Sequence, residues 1–247
     1  MKNYIVVERM IISVCMTTFN GQKYIKEQLE SILCQLSPYD EVIVSDDDST
    51  DNTIDVIKEC KDSRIKIISG PRLGVVKNFE YAIQHASGDV IFLADQDDVW
   101  LSNKVEVSLK HLQDNILVVS DCMVTNSELD IMLTSFFNSH GSRPGLWQNL
   151  IENHYMGCCI AFNRELLSTA LPFPNSIPMH DWWIGVVAEC CGTVKFVDEK
   201  LILYRRHDSN VSETSNDSKN TFVTKLKWRL IIIKELSMRF LNKNGAI

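Results

Sequence analysis

Residues 88–100 read GDVIFLADQDDVW. Val90–Ala94 is an unbroken apolar run, which predicts a strand buried on both faces, as the strands of parallel sheets are. The run stops at Asp95-Gln96-Asp97-Asp98. In open parallel sheets ligands bind beyond the carboxyl ends of the strands, so these acids stand where a ligand belongs.

The same alternation recurs on both sides. Ile11–Met16 (IISVCM) predicts a strand, with Thr17–Gly21 as the turn after it. Gln22–Leu36 then puts Ile25, Leu29, Ile32, Leu33 and Leu36 on a helical stripe, with Asn20 at the N-cap position. Glu41–Ser45 (EVIVS) is a second strand, and the polar turn DDDSTD leads into a helix over Thr53–Cys60. Arg64–Ile68 is a third strand. A helix through Val76, Phe79, Ile83 and Ala86 ends at Ser87-Gly88. Beyond residue 100 come a helix over Asn103–Leu112 and a strand at Ile116–Ser120. Strand and helix alternating over short loops predict an α/β fold: a mostly parallel, Rossmann-like central sheet flanked by helices.

After Asp121 the pattern loosens. Residues 123–156 read as irregular loop with a short helix near Trp147, then a strand over Cys158–Phe162, a helix over Trp182–Cys190 and short strands at Val194–Val197 and Leu201–Tyr204. From Ser212 to Ile247, 7 Lys/Arg against 3 Asp/Glu leave +4, so the rest of a chain of net charge −7 carries −11. In this basic amphipathic tail Phe222, Leu226, Leu230, Ile233, Leu236 and Phe240 share a helical face, with Lys225, Lys227, Arg229, Lys234 and Arg239 around it. Two readings compete: a helix docked on the domain, or one lying on an anionic membrane surface.

Composition narrows the classes. With 45% hydrophobic and 23% charged residues in 247, the chain is globular, neither disordered nor collagen-like. Its acidic balance excludes nucleic acid as the main partner. Eight cysteines without a CxxC, and residues 2–10 without a secretory leader, predict reduced thiols and a cytoplasmic protein. The adjacent pairs Cys158-Cys159 and Cys190-Cys191 read as small core hydrophobes. No run of about 20 apolar residues exists to span a membrane.

If the strands are parallel, Asp46, Asp47, Asp48, Asp95, Asp97 and Asp98 converge on one crevice. That much negative charge calls for a hard divalent cation, Mg²⁺ or Mn²⁺, which usually accompanies a polyphosphate. The plainer alternative is separate loops whose aspartates cap helices, as Asp51 suits.

VCMTTFNG, VIVSDDDSTDNT, GDVIFLADQDDVW, HDWW and YRRHDSNVS in this order resemble a family 2 glycosyltransferase of the GT-A fold, nearest to bacterial rhamnosyltransferase-like enzymes of surface-polysaccharide assembly. The likeness covers about Met10 to Val211, and Met10 is a possible natural start. It implies a glycosyltransferase domain over 1–211, with a nucleotide-sugar half at about 10–121 and an acceptor half at about 122–211, followed by the 212–247 tail. It implies that Thr17, Thr18, Phe19 and Asp47 hold the nucleoside, Asp95 the ribose and metal, and Asp97 the metal. Arg206 would meet the diphosphate, and His207 would lie near the metal. Asp98 would stand behind the metal or face the substrate.

Asp181 would be the base of an inverting transfer, taking the acceptor hydroxyl's proton; as an N-cap it would only start a helix. His180 would orient it or touch the acceptor. Trp182 and Trp183 point about 100° apart on a helix, so one can offer its face to a sugar unless both pack in the core. Asp48 departs from the family pattern, standing where many relatives carry Gly or Asn at a positive-φ turn. The partners implied are a nucleoside-diphosphate sugar (rhamnose the first choice), a growing, lipid-linked glycan acceptor, and peripheral contact with the cytoplasmic face of the membrane. A catalytically silent assembly subunit is the alternative. A sugar nucleotidyltransferase fits less well, because Thr17–Gly21 lacks the glycine-rich basic loop it needs.

Overall fold

The computed structural model describes residues 10–207 and 221–244. Residues 1–9, which precede the likeness, the end of the YRRHDSNVS motif and the 211/212 boundary lie outside the described residues.

The elements in chain order are β1 (Ile12–Thr18), α1 (Ile25–Leu33), β2 (Glu41–Asp46), α2 (Thr53–Glu59), β3 (Ile65–Ser69), α3 (Val75–His85), β4 (Val90–Ala94), β5 (Val99–Trp100), α4 (Lys104–Leu112), β6 (Leu117–Thr125), β7 (Ile131–Leu133), α5 (Phe136–His140), α6 (Leu146–Ile151), β8 (Ile160–Asn163), α7 (Leu167–Ala170), α8 (His180–Cys191), β9 (Val194–Arg205) and α9 (Phe222–Asn244). One sheet takes the order β3-β2-β1-β4-β8-β6-β9-β5, with β7 added to β6. The first four strands pair in parallel, with Met16 opposite both Val44 and Ala94. β8 then enters antiparallel between β4 and β6, so β6 again points the way of β4, and β9 runs parallel to β6. The carboxyl ends of β1, β2, β4, β6 and β9 therefore share one edge.

β1 and β4 are buried along their whole length; β4 accordingly reads as a continuous apolar run, and the Ser13 hydroxyl in β1 is satisfied by Glu41. α1 buries Ile25, Leu29 and Ile32 against them. α8 is buried from His180 to Ala188, nearly all round, as a helix in the middle of a core must be.

Several local expectations change. Asn20 is not an N-cap: it sits at φ 51, and its side chain accepts the Thr50 N–H at 2.8 Å, tying the β1 turn to the β2 turn. The two short strands expected at 194–204 are one strand. The polar residues 198–200 stay in β9 because register shifts around Asp121 accommodate them and Lys200 reaches Asp121 at 3.5 Å. The loop expected over 123–156 holds the end of β6, β7, α5 and α6. Cys158 and Cys159 are buried as expected, whereas Cys190 and Cys191 are exposed where α8 emerges from the core.

The C-terminal helix docks through only part of the expected stripe, Leu236 and Phe240, joined by Ile232 and Trp228 from outside it. Ile232 and Leu236 are buried, with Trp228 and Phe240 packed beside them. Arg239 donates to the carbonyls of Thr169, Leu171 and Pro172 and lies over the Trp183 ring. Phe222, Leu226, Leu230 and Ile233 are exposed.

Candidate active site

Three turns at the shared edge are stitched together by side-chain amides. Gln96 accepts the Phe19 N–H at 2.9 Å and donates to the Phe19 carbonyl at 3.0 Å. Gln28 on α1 donates to the Asp95 carbonyl at 2.8 Å. Thr18 and Asp46 share a 2.9 Å bond, and Asp46 also holds Ser49 through both its N–H and its hydroxyl.

The six aspartates do not all converge. Asp46 is spent on its own turn. Asp47 accepts the N–H groups of Arg72 and Gly74 at 2.6 and 3.0 Å, shaping the loop after β3, and Asp48 pairs with Arg72 at 2.7 Å in solvent. Asp48 adopts φ 77, the left-handed turn its sequence position suggests. Asp51 caps the start of α2 through Thr53. Thr17 and Thr18 are buried at the end of β1, while the Phe19 ring is 55% exposed at the mouth of the crevice.

Asp95 and Asp97 remain, joined by Asp181. The Asp95 carboxyl is pushed up to about 8, first by burial and then by the negative charges of Asp97 and Asp181. Asp97 meets His207 Nε2 at 2.8 Å. His207 stacks on Tyr24 with ring centroids 4.8 Å apart, and the Arg205 guanidinium lies 4.5 Å over the same ring.

Arg205 is buried and branches in four directions. Its backbone N–H donates to Asp98 Oδ1 at 3.1 Å, Nε to the Asp97 carbonyl at 2.8 Å and Nη1 to the Ser127 carbonyl at 2.7 Å, while Nη2 pairs with Glu27. It thereby fixes the Asp97-Asp98 turn to α1 and to the end of β9. The backbone N–H of Arg206 closes on the Thr125 carbonyl at 2.9 Å.

Asp98 is the most buried of the three acids in this turn region. It is wholly buried behind Asp97, and Asp95, Asp98 and Cys158 present ligand atoms within 4.8 Å of one another. Burial, then Asp97 and Asp95, drive the Asp98 carboxyl far above its usual range. The fully buried Lys104 stands nearby as a counter-charge, 3.2 Å from the Cys158 carbonyl and 5.0 Å over the Trp100 ring. Asp95 and Asp97 offer carboxylate oxygens and His207 an imidazole nitrogen, ligand types suited to Mg²⁺ or Mn²⁺; Asp97 and His207 are already in contact, while Asp95 has its ligand atoms grouped with those of Asp98 and Cys158. The repulsion raising Asp95 is what such an ion would relieve.

Asp181 opens α8 and is buried, its carboxyl pushed up to about 6 by loss of water. The N–H of Trp182 at 2.6 Å and the amide of Asn153 at 3.3 Å, both on Oδ1, work against that rise. His180 packs flat on Phe79 at 3.9 Å, and burial lowers it to about 3, so it is neutral. Trp182 and Trp183 are both core residues, donating their indole N–H groups to the carbonyls of Asn149 and Ala170. Neither ring is open to a sugar.

Sequence reasoning missed Tyr24, Glu27, Gln28, Gln96 and Asn153. Helical spacing marks Glu27 and Gln28 only as polar or intervening positions, and nothing local announces a partner far along the chain.

An open, mostly parallel sheet with two acids after β4 and a third carboxylate in the first turn of a buried helix has counterparts among known proteins. Residues 13–171 match the family Glycosyl transferase family 2, and the chain belongs to that family. It is a glycosyltransferase.

Its relatives include UDP-Glc:alpha-D-GlcNAc-diphosphoundecaprenol beta-1,3-glucosyltransferase WfgD of Escherichia coli, 30% identical over 70% of this chain and 68% of the relative. dTDP-rhamnosyl transferase RfbG of Shigella flexneri is 28% identical over 79% of this chain and 72% of its own. Among solved structures, S. aureus TarS 1–349 in complex with UDP-GlcNAc superposes with a TM-score of 0.64 at 17% identity, covering 91% of this chain and 66% of that one. The mannosyltransferase PcManGT from Pyrobaculum calidifontis, in complex with GDP-Man and Mn²⁺, gives 0.64 at 18% identity, covering 98% and 77%. The fold is GT-A, and the chain spans about two thirds of the length of WfgD and TarS 1–349. Among the described residues no helix is long and apolar enough to cross a membrane.

Proposed function

We propose that the protein is an inverting, metal-dependent glycosyltransferase that moves a sugar from a nucleoside diphosphate to a hydroxyl of a lipid-linked surface glycan at the cytoplasmic face of the membrane. The observation that supports this reading is the grouping of Asp95 with Asp97 and Asp181, close enough for their charges to raise its carboxyl, beside the 2.8 Å contact of Asp97 with His207. Asp95, Asp97 and His207 would hold Mg²⁺ or Mn²⁺, which when bound supplies positive charge to the departing diphosphate. Thr17, Thr18 and Phe19 line the nucleoside side, Asp47 holds the loop beside it, and Arg206 stands at the diphosphate side. Asp181 accepts the proton of the acceptor hydroxyl as the new C–O bond forms opposite the leaving group. His180 walls the acceptor side and Trp182 fixes the start of α8. A silent subunit would have no need to keep Asp97 and Asp181 together.

The names of RfbG and WfgD support two donors, dTDP-rhamnose and UDP-glucose, with rhamnose the first choice, and that of WfgD supports a diphosphoundecaprenol-linked acceptor. The test is nucleoside-diphosphate release from each donor with Mn²⁺, with Mg²⁺ and with EDTA, followed by transfer to a polyprenyl-diphosphate sugar. Turnover that needs the metal and inverts the anomeric centre is expected. Full activity in EDTA, or a retained anomeric configuration, overturns the proposal.

A further inference from the structure

α9 uses one side to dock and leaves the other apolar. Ile232 and Leu236 face the domain, and so do the polar groups that would otherwise confuse the pattern. Glu235, the one acid between Phe222 and Asn244, accepts from Ser176 at 2.9 Å, and Arg239 is committed to three backbone carbonyls. The outward side carries Phe222, Val223, Leu226, Leu230 and Ile233, each at least 43% exposed. Advancing 100° per residue, Lys227 and Lys234 fall along one border of that side and Arg229 along the other. Leu226, Leu230 and the stems of Lys227 and Lys234 form a shallow apolar groove.

α6 packs against α9 and turns Trp147 and Ile151, one helical turn apart, to solvent at 76% and 62% exposure. The same helix supplies the carbonyl that receives the Trp182 indole, and Asn153 just beyond it reaches Asp181. The apolar surface is therefore joined to the catalytic side of α8 by direct bonds.

We infer that the outward face of α9, with Trp147 and Ile151 of α6, docks on an anionic lipid bilayer. Charge selects this occupant. The outward side has cations at its borders and no acid, so two copies of the chain would bring like charges together, whereas anionic headgroups meet them. The −11 carried by residues 1–211 keeps the remaining surface away from the same bilayer and gives docking one orientation. The inference rests on this surface and not on the transfer reaction, so either can fail without the other.

The experiment uses the full chain and vesicles of phosphatidylcholine with or without phosphatidylglycerol. Co-sedimentation with phosphatidylglycerol vesicles at low salt and release at high salt are expected. Trp147 and Trp228 are the indoles outside the core, and a blue shift that is lost in Trp147→Phe is expected on docking. Lys227→Gln with Lys234→Gln should weaken partition about 30-fold at low salt, from about 1 kcal/mol for each cation. Leu230→Glu with Ile233→Glu should abolish it while melting temperature and metal-dependent donor hydrolysis stay at wild-type values, since both side chains are exposed. Equal binding to neutral and anionic vesicles, binding unaffected by these variants, or a vesicle-free dimer dissolved by Leu230→Glu would each overturn the inference.

Discussion

Replacing Asp181 by Asn should make the protein more stable and nearly inactive. The wild-type carboxyl is raised from 3.8 to about 6 by burial, so the fold disfavours its ionised form. The sign follows from linkage. A carboxyl with a folded pKa above its unfolded value destabilises the fold only when ionised, so the penalty is absent below about pH 4, grows between 4 and 6, and is complete above 6. Two pKa units correspond to about 3 kcal/mol, and imperfect replacement of the bonds from Trp182 and Asn153 reduces the gain to about 1–3 kcal/mol. At this chain length that raises the melting temperature by about 2–8 °C at pH 8, and by nothing at pH 4. The asparagine cannot take a proton, so kcat should fall about 10²–10⁴-fold, or about 3–5 kcal/mol of barrier. Wild-type kcat/KM should fall about tenfold per pH unit below 6. Thermal melts of the metal-free, donor-free protein at both pH values, beside turnover at pH 8, read all three quantities. A variant less stable than wild type at pH 8, or one that loses donor binding together with rate, would show that Asp181 holds the fold rather than the proton.

Asp97→Asn should remove Mn²⁺-dependent nucleotide binding while circular dichroism stays unchanged; a titration showing wild-type affinity would refute its place at the metal. Asp48→Gly relieves a left-handed backbone at φ 77 and gives up only a solvent-exposed pair with Arg72, so stability should stay level or rise by up to about 1 kcal/mol. Chemical denaturation checks this, and a loss above about 1 kcal/mol contradicts it. Glu41 is buried, and bonds from Lys66, Ser13 and Ser87 outweigh that burial to hold its carboxyl at about 2, below its usual 4.5. Its contribution is therefore complete above about pH 4.5 and lost as pH falls toward 2. Glu41→Gln should cost about 1–2 kcal/mol at pH 7, after screening around the half-exposed Lys66, with the difference shrinking below pH 4.

The sheet was legible because burial on both faces leaves a direct mark: VIFLA has no polar residue, and IISVCM has one, Ser13, which is bonded to Glu41. Strand order was less so. β8 inserts between β4 and β6 through pairings some 70 residues apart for β4, and no local pattern encodes which neighbour wins. In the candidate site, motif order singled out Asp95, Asp97 and Asp181, the residues on which the proposed function rests. Asp46 could not be told from them, since a carboxylate that binds its own turn looks the same in sequence as one awaiting a ligand, and nothing local showed that Asp47 would hold the loop after β3. On α9 two apolar sectors overlap, and periodicity favoured the wider one. The docking side is decided by Ile232 and by the carbonyls that receive Arg239, both properties of the surface beneath.

From His180 the chain leaves the crevice along α8, turns at Gly192 and comes back along β9 to Arg205 and His207. One continuous αβ excursion thus carries the Asp181 carboxylate and the imidazole beside Asp97, while Asp95 and Asp97 follow an earlier strand. The proposed site is divided between two chain segments, brought together as β9 pairs with β6 and β5. Cutting the chain in the exposed stretch between α5 and α6 would leave neither piece with a whole site, and activity would return only on reassembly. The fold thereby makes activity a report on its own completion.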